Sequence, residues 1–309
     1  MNRISTILYT IAIKYYKKLP FKKQICTILK TLNFKIDKFY KDFRFEGVFK
    51  IRVESNLIFL MNNYGGNIEN ETFWKGLFTT FEKEVGWLWI DICEKSNVIF
   101  DIGANTGIYS LTAKTVNQSS KIFAFEPSNN TFHKLKYNIV YNKYDIDCFQ
   151  IALSNCNGKH TLYDSFDANQ TSASMSNKMH KMWENFELNA YEIETQTLDY
   201  FVQKNNVTTI DLIKLDVEMF EPEVIEGFSK EILNLKPIIF IEILSSEVGD
   251  KLMNLLKNDY VYYHLDETYS IIKKAKLEPI AYKWNYVICP NEKVNWFENE
   301  YKKNIKFEN

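Results

Sequence analysis

No Gly-Lys-Ser/Thr sequence occurs in the chain, which removes a P-loop nucleotide site. No Cys-x-x-Cys pair occurs either. The five cysteines, Cys26, Cys93, Cys148, Cys156 and Cys289, are scattered and odd in number. That pattern fits reduced thiols in a cytosolic protein, packed as small apolar side chains, rather than a disulfide framework. The four histidines, His133, His160, His180 and His264, make no HxH or HExxH spacing, which argues against zinc. No stretch approaches the roughly 20 apolar residues that span a bilayer. The apolar run at 4–13 is broken by polar residues and lacks a small-residue cleavage site, so no secretory signal is expected. Glycine and proline number only 10 and 6 in 309 residues, a bias that an AT-rich coding sequence would produce by itself.

What is present is enough for a real core: 46% of the residues are apolar. The net charge of −1 conceals an asymmetry. Residues 1–41 hold ten Lys/Arg and one acid, Asp37, or +9; the remainder holds 28 basic and 38 acidic residues, or −10. This arm reads as two amphipathic helices. Ile4, Ile7, Leu8, Ile11 and Tyr15 share one face of the first. Pro20 can open the second, along which Phe21, Ile25, Ile28, Leu29 and Leu32 form a stripe. Lys14, Lys17, Lys18, Lys22 and Lys23 crowd the junction. Two readings stay open. The arm is a surface-lying anchor on anionic lipid, which would place a cytoplasmic protein peripherally at the inner face of a membrane. Or it is a helix pair that packs on the body or on a second copy in a homodimer. Nothing in it reads nucleic acid.

Residues 42–93 predict a hairpin, with strands at 48–53 and 57–62, a turn near Ser55-Asn56, and a break at Tyr64-Gly65-Gly66. Thr79 and Glu82 have the spacing of a capping box. Phe78, Phe81, Val85, Leu88, Trp89 and Ile92 then recur at helical spacing, in a helix expected to pack on the core. Trp87 and Trp89 read as core or subunit contacts. The third segment, 94–309, is the expected catalytic domain.

That segment opens on "NVIFDIGANTG" at 97–107. A short apolar strand ends on Asp101, and the turn Gly103-Ala104-Asn105-Thr106-Gly107 leads into a helix. The next strand, "KIFAFEP", ends in Glu126. An acid at that strand tip suits a ribose with two free hydroxyls and would repel a 2′-phosphate. A dinucleotide fingerprint would need glycine at position 105, so that backbone NH groups could approach a pyrophosphate. Asn105 stands there, and Asp101 would repel a diphosphate. S-adenosylmethionine, with a sulfonium, an ammonium, a ribose and no phosphate, fits better than NAD. Further on, strands are expected near 121–125, 147–153, 210–216, 237–243, 261–266 and 284–289. Helices are expected near 107–117, 129–142, 222–234 and 247–258. The alternation implies a mostly parallel sheet with right-handed crossovers.

Five segments in order, "VIFDIGANTGIYSL", "IFAFEPSNNTFHKLKYNI", "IALSNCNG", "TLDYF" and "IDLIKLDVEMFEPEVIEGF", resemble the FkbM-type family of S-adenosylmethionine-dependent methyltransferases. The resemblance runs from about residue 73 to 290. It implies the Rossmann-like, seven-stranded class I methyltransferase sheet, α/β, with "WNYVICP" as its antiparallel last strand. It also implies O-methylation, with acceptors such as sugars or polyketide-like metabolites. One departure is Met219, where the family often has glycine after "DVE".

On this reading Asp101, Gly103, Ala104, Asn105 and Gly107 shape the methionine end of the cofactor site. Glu126 holds the ribose, Pro127 and Ser128 shape the adenine side, and Ala152 lines the adenine pocket or is plain core. Asp216, Glu218 and Glu242 gather at strand ends, where the carboxyl ends of neighbouring strands face one crevice. Three roles remain open for them: a general base for a hydroxyl acceptor, ligands for a divalent cation such as Mg²⁺, or charge complements to the cofactor and caps for the helix at Pro222. Lys214 shares a strand face with Asp216 by alternation and would pair with an acid or orient the acceptor. Glu221, Glu223 and Glu226 read as a solvated helix face. The insert at 155–196, with its polar "DANQTSASMSNK", reads as a substrate lid or a plain surface loop. The basic arm favours a surface-glycan or lipid-linked sugar acceptor over another small molecule. Methylation of nitrogen or carboxylate, and a scaffold that keeps the fold without turnover, are the rivals.

Overall fold

A computed structural model describes residues 12–32, 40–165, 173–176, 188–280 and 283–307, and the chain divides into two compact units. The first comprises 1–81 with 167–170, the second 82–166 with 171–309.

In the first unit β1 (Glu46–Arg52) and β2 (Ile58–Tyr64) form the expected hairpin, with Phe49 opposite Met61. Alternation buries Phe49, Ile51, Phe59 and Met61 on one face. Phe45, Phe49 and Phe73 meet there edge to face, with Phe45 and Phe73 centroids 4.6 Å apart. Phe73 comes from α2 (Asn67–Lys75), a helix without an apolar stripe to announce it: Glu69, Asn70 and Thr72 are buried beside Phe73. Of the arm, residues 12–16 are helical and α1 spans Lys22–Thr31. Ile4, Ile7, Leu8 and Ile11 lie outside the described residues.

The second unit begins at Glu82, so α3 (Lys83–Glu94) belongs with the large sheet and not with the hairpin segment that sequence grouped it with. The capping box does not form. The Thr79 hydroxyl donates to the Gly76 carbonyl, and Glu82 takes a left-handed φ of 44°. The sheet has nine strands in the order β15-β13-β12-β14-β11-β10-β3-β4-β5. Within it β3 (Val98–Ile102) is flanked in parallel by β4 (Lys121–Phe125) and β10 (Leu212–Leu215). β5 (Asp147–Phe149) extends one side and β11 (Ile238–Glu242) the other. β14 (Asn285–Pro290) inserts antiparallel between β11 and β12 (Tyr260–Asp266). These seven strands match the expected sheet, antiparallel strand included. β13 (Ser270–Lys274) and β15 (Ile305–Phe307) are additions at the edge.

Helices α4 (Ile108–Val116), α5 (Asn129–Asn142), α6 (Leu198–Lys204), α7 (Glu221–Glu226), α8 (Ile232–Leu235), α9 (Ser246–Leu256) and α10 (Asn291–Glu300) complete this unit among the described residues. Two spans expected to be continuous are broken. The strand at 147–153 divides, because β6 (Ala152–Leu153) leaves for a second sheet. The helix at 222–234 divides at Gly227, which passes so close to Ser154 that a Cβ would lie 2.0 Å from its carbonyl oxygen. The second sheet, β6-β9-β7-β8, is the insert itself: β7 (Gly158–Ser165) pairs antiparallel with β9 (Leu188–Gln196) and β8 (Ala173–Ser174). The insert at 155–196, read as a substrate lid or a plain surface loop, is thus largely strand among its described residues, and most of "DANQTSASMSNK" lies outside them.

Trp89, fully buried, stacks edge to face on Tyr109 of α4 and Phe240 of β11, at 5.2 and 5.4 Å. This fastens α3 over one face of the central strands. Ile213 and Leu215 point to the opposite face, into a core with Val224, Phe228, Val248 and Leu252. Cys26, Cys93 and Cys289 are buried.

Candidate active site

β3 is the first strand of this sheet in chain order and lies inside it, third from the β5 edge, so the chain winds outward through β4 and β5 and then returns to β10. The reversal opens a crevice at the carboxyl ends of β3 and β10. Asp101, Gly103, Asn105, Lys214, Asp216 and Glu242 of the predicted residues lie around it.

The turn after β3 is held from beneath by β4. Gly103 and Ala104 donate their NH groups to the Phe125 carbonyl, at 3.0 and 2.9 Å. Gly103 has φ +83°, and a Cβ on it would lie 1.8 Å from the carbonyl oxygen of Asp216. The loops after β3 and β10 therefore touch backbone to backbone, which only glycine permits. Asn105 is also left-handed, at φ 50°, and its side-chain oxygen accepts the Thr106 NH at 2.8 Å. Gly107, at φ +98°, starts α4.

Glu126 ties the crevice together on the β4 side. One carboxylate oxygen accepts the Asn105 NH at 3.0 Å and the other the Ser128 NH at 2.9 Å. Burial pushes its carboxyl up to about 7, although both NH groups act to lower it. Ser128 caps α5 and donates its hydroxyl to Asp164 of the insert, 2.8 Å away. Pro127 is half-buried between them. Ala152 faces inward with Leu162, Met175, Ile193 and Phe220, so its place is the core of the second sheet.

On the other side, strand register sets Lys214 of β10 between Asp101 of β3 and Phe240 of β11. Lys214 is fully buried, with its ammonium over the Tyr109 ring at 4.9 Å and 3.1 Å from an Asp216 oxygen. Burial alone would lower this lysine, but Asp216, Glu82 and Glu242 outweigh it and hold the ammonium above its ordinary value. Asp101 accepts the Ser110 hydroxyl at 2.5 Å, and burial pushes its carboxyl up to about 6. One residue beyond the Leu215–Ile241 pair, Asp216 comes beside Glu242.

The third acid of this cluster is Glu82, and sequence reasoning missed it. Carboxylate oxygens of Glu82, Asp216 and Glu242 lie within 4.8 Å of one another. Glu82 stands at the start of α3, far away in the chain, and no local pattern marks it as functional. Burial, with Asp216, Glu84 and Asp101 adding to it against Lys214, pushes Glu82 up to about 8. Burial and the neighbouring Asp216 and Glu82 likewise hold Glu242 well above the usual carboxylate range. Asp216 is the member more open to solvent than its partner lysine, with 29% of its side chain exposed against 2%.

Glu218 does not join the trio, contrary to its expected place in a metal set. Its backbone is left-handed at φ 54°, as is that of Met219 at φ 68°. Two consecutive left-handed residues turn the chain sharply after Asp216, and the serine of β8, Ser174, anchors that turn by donating to the Glu218 carbonyl at 2.7 Å. The position where the family pattern has glycine is thus one whose backbone favours glycine. Glu221 is not part of a solvated face either. It is fully buried and accepts the Val217 NH at 3.2 Å, and burial raises it to about 8. Glu226 accepts the amide of Asn155 at 2.8 Å, and Glu223 lies 3.9 Å from Lys251.

The crevice is therefore acidic, with one ammonium already engaged. Such a site can attract a cationic ligand, accept hydrogen bonds from hydroxyls and take up a proton.

Residues 101–262, a little over half of the chain, match the family model described as the Methyltransferase FkbM domain. The hexuronic acid methyltransferase AglP of Haloferax volcanii is 26% identical over 169 residues, which are 55% of this chain and 65% of that protein. The 2-O-methyltransferase NoeI of Sinorhizobium fredii is 28% identical over 170 residues, 52% of this chain and 68% of that one. The match thus spans about two thirds of the length of these relatives. Among solved structures, the methyltransferase FkbM from Methylobacillus flagellatus aligns with a TM-score of 0.42 at 14% identity, over 62% of this chain and 43% of that one.

Proposed function

The chain belongs to the FkbM methyltransferase family, and from that premise we propose that it is an S-adenosylmethionine-dependent O-methyltransferase acting on a hydroxyl of a sugar-type acceptor. The observation that carries this reading is the chemistry of the crevice: Asp101, Glu126, Asp216, Glu242 and Glu82 converge there, with Lys214 as their countercharge. Acids suit a sulfonium and an ammonium, whereas a diphosphate would meet repulsion. The names of the relatives, a hexuronic acid methyltransferase and a 2-O-methyltransferase, support a sugar acceptor.

In this proposal Asp101, Gly103, Ala104, Asn105 and Gly107 form the floor beneath the methionine end. Glu126 receives the ribose hydroxyls. Each of its oxygens accepts one backbone NH and keeps a further acceptor position. Pro127 and Ser128 border the adenine side, and Ala152 supports it from the core. When bound, the cofactor supplies the methyl group and takes back the bonding electrons as a neutral thioether. Asp216 accepts the proton that leaves the acceptor hydroxyl, and Lys214, 3.1 Å away, orients that carboxylate. Glu82, which burial raises to about 8, and Glu242, which burial and the neighbouring Asp216 and Glu82 hold well above the usual carboxylate range, flank Asp216.

A second reading comes from the spacing of Glu82, Asp216 and Glu242, which suits a divalent cation holding the acceptor oxygen. Lys214 already supplies positive charge at that place, which favours the base.

Titration calorimetry with S-adenosylhomocysteine, with NAD as control, tests the cofactor; labelled methyl transfer to a panel of methyl glycosides tests the acceptor. Saturable binding of S-adenosylhomocysteine alone, followed by label on sugar oxygen, is expected. Binding of NAD instead, or label on nitrogen or carboxylate acceptors only, overturns the proposal. Activity that survives EDTA keeps the base; activity lost to EDTA and restored by Mg²⁺ selects the cation.

A further inference from the structure

The basic arm plays no part in the chemistry above, yet its described residues have an unusual surface. Between residues 12 and 32 there are six lysines and no acid. Apolar side chains point in two directions. Ile13, Tyr16 and Cys26 are buried inward, where the Tyr16 hydroxyl donates to the Arg44 carbonyl at 2.6 Å and its ring packs on Phe43 at 4.9 Å. Tyr15, Leu19, Phe21, Ile28 and Leu32 face outward, exposed by 67, 46, 72, 58 and 69%. A helical segment that packs on one side would ordinarily be polar on the other. Here the outer side mixes large apolar groups with Lys14, Lys17, Lys18, Lys22 and Lys23, while Lys30 is drawn inward onto the Phe73 ring and carbonyl.

Phe21 sharpens the point. It holds a left-handed backbone, φ 59°, immediately before α1, a conformation that costs a bulky residue energy. That backbone leaves its ring in solvent, beside a cleft of about 660 Å³ lined by Lys22, Lys23 and Arg44 and by one acid, Glu46. Among the described residues of the first unit, no contact repays this arrangement. Insertion of the ring into an apolar phase would, with lysines around it reaching anionic groups at the boundary of that phase.

We propose that residues 12–32 form a peripheral docking surface for an anionic lipid bilayer, with Phe21, Leu19 and Ile28 entering the headgroup–acyl boundary and Lys14, Lys17, Lys18, Lys22 and Lys23 meeting lipid phosphates. Charge complementarity to anionic lipid and the exposed apolar side chains together favour this occupant. A second copy docked arm to arm would set +9 against +9, and the rest of the chain, at −10, is repelled by anionic lipid, so contact with lipid is confined to the arm. The proposal stands apart from methyl transfer and survives or fails without it.

The test is flotation of the full chain with phosphatidylcholine vesicles, with and without phosphatidylglycerol, at low and high salt. The variants are K17E/K18E and F21S/I28S, all at exposed positions and checked for unchanged melting. Wild type is expected to float with anionic vesicles only and to be released by high salt. Each double variant is expected to partition about tenfold more weakly or less. Absence of flotation at low salt overturns the proposal, as does equal binding to neutral vesicles, or variants that float like wild type. Sedimentation velocity without lipid covers the remaining occupant: a dimer that F21S/I28S dissociates, in a protein that ignores vesicles, would assign the surface to a second copy.

Discussion

The ammonium of Lys214 lies 3.1 Å from an Asp216 oxygen, where Asp101 near the end of β3, Asp216 just after β10 and Glu242 at the end of β11 come together. Lys214 and Asp216 alternate onto the same face of β10, and α3 closes over that face through Trp89. A buried cation amid Asp101, Asp216, Glu82 and Glu242 is what allows so many carboxyls to gather. Lys214→Met should therefore cost about 3–5 kcal/mol of stability near neutral pH, because the acids lose their countercharge. Urea unfolding measures it. The loss should shrink as pH falls and the acids protonate. A variant as stable as wild type at pH 7 would show that Lys214 does not compensate them.

Asp216→Asn should reduce kcat by about 10²-fold or more while leaving affinity for S-adenosylhomocysteine within a few-fold, since general base catalysis contributes about that much. Lys214 keeps a hydrogen-bond acceptor in the asparagine oxygen, so the local structure is preserved. Equal losses in turnover and cofactor affinity would give Asp216 a structural role instead.

Glu126→Ala removes the acceptor for two backbone NH groups, those of Asn105 and Ser128, as well as the ribose contact. Hydrogen bonds to a charged group are worth about 1.5–3 kcal/mol, so S-adenosylhomocysteine affinity should fall by tenfold or more. Calorimetry under the same conditions as wild type decides it, and unchanged affinity would remove the ribose assignment.

Gly103→Ala places a methyl group 1.8 Å from the Asp216 carbonyl, on a residue whose φ of +83° already excludes most side chains. Overpacking typically costs about 1–3 kcal/mol, with backbone strain in addition. Lower stability should accompany loss of both cofactor binding and turnover, because the same contact positions the loops after β3 and β10. A variant that binds S-adenosylhomocysteine normally would mean that the two loops move independently.

Local chemistry made some of these elements readable in sequence. β4 and α5 have their expected bounds, 121–125 and 129–142, because the apolar run is short and Ser128 caps the helix. Asp101, Gly103, Asn105, Gly107 and Glu126 come together because one turn and one strand tip are compact features of a single stretch. Asp216 and Glu242 were legible as strand ends. Glu82 was not, since its pairing with Asp216 depends on how α3 lies over the sheet; the Thr79–Glu82 spacing even pointed to a different local role. Glu221 misled in the same way. Its helical spacing with Glu223 and Glu226 reads as solvated, but the turn through Glu218 and Met219 folds it under Val217. β7 and β9 hid in a polar insert because only one face of their small sheet is covered, with Leu162 and Ile193 inward.

Glu82 gives the most discriminating experiment. Its carboxyl ordinarily titrates near 4.5, and burial carries it to about 8 in the folded chain. Between those values the folded state holds a proton that the unfolded state has released. Stability from this group is therefore present at low pH, falls as pH rises through the window, and is lowest once Glu82 ionises beside Asp216 and Glu242. Glutamine has the shape of the protonated acid and cannot ionise. Glu82→Gln should thus match wild type in turnover near pH 6, where folded Glu82 still holds its proton, and in urea midpoint at or below about pH 4.5, where neither state has released it. From there it should become steadily the more stable of the two up to about pH 8, as the unfolded wild type ionises while the folded state keeps its proton. Unfolding curves at about pH 4.5 and about pH 8 provide the check. A deficit of equal size at both would mean that Glu82 is charged throughout, held by Lys214, and the proton assigned to it would have to be moved to Glu242.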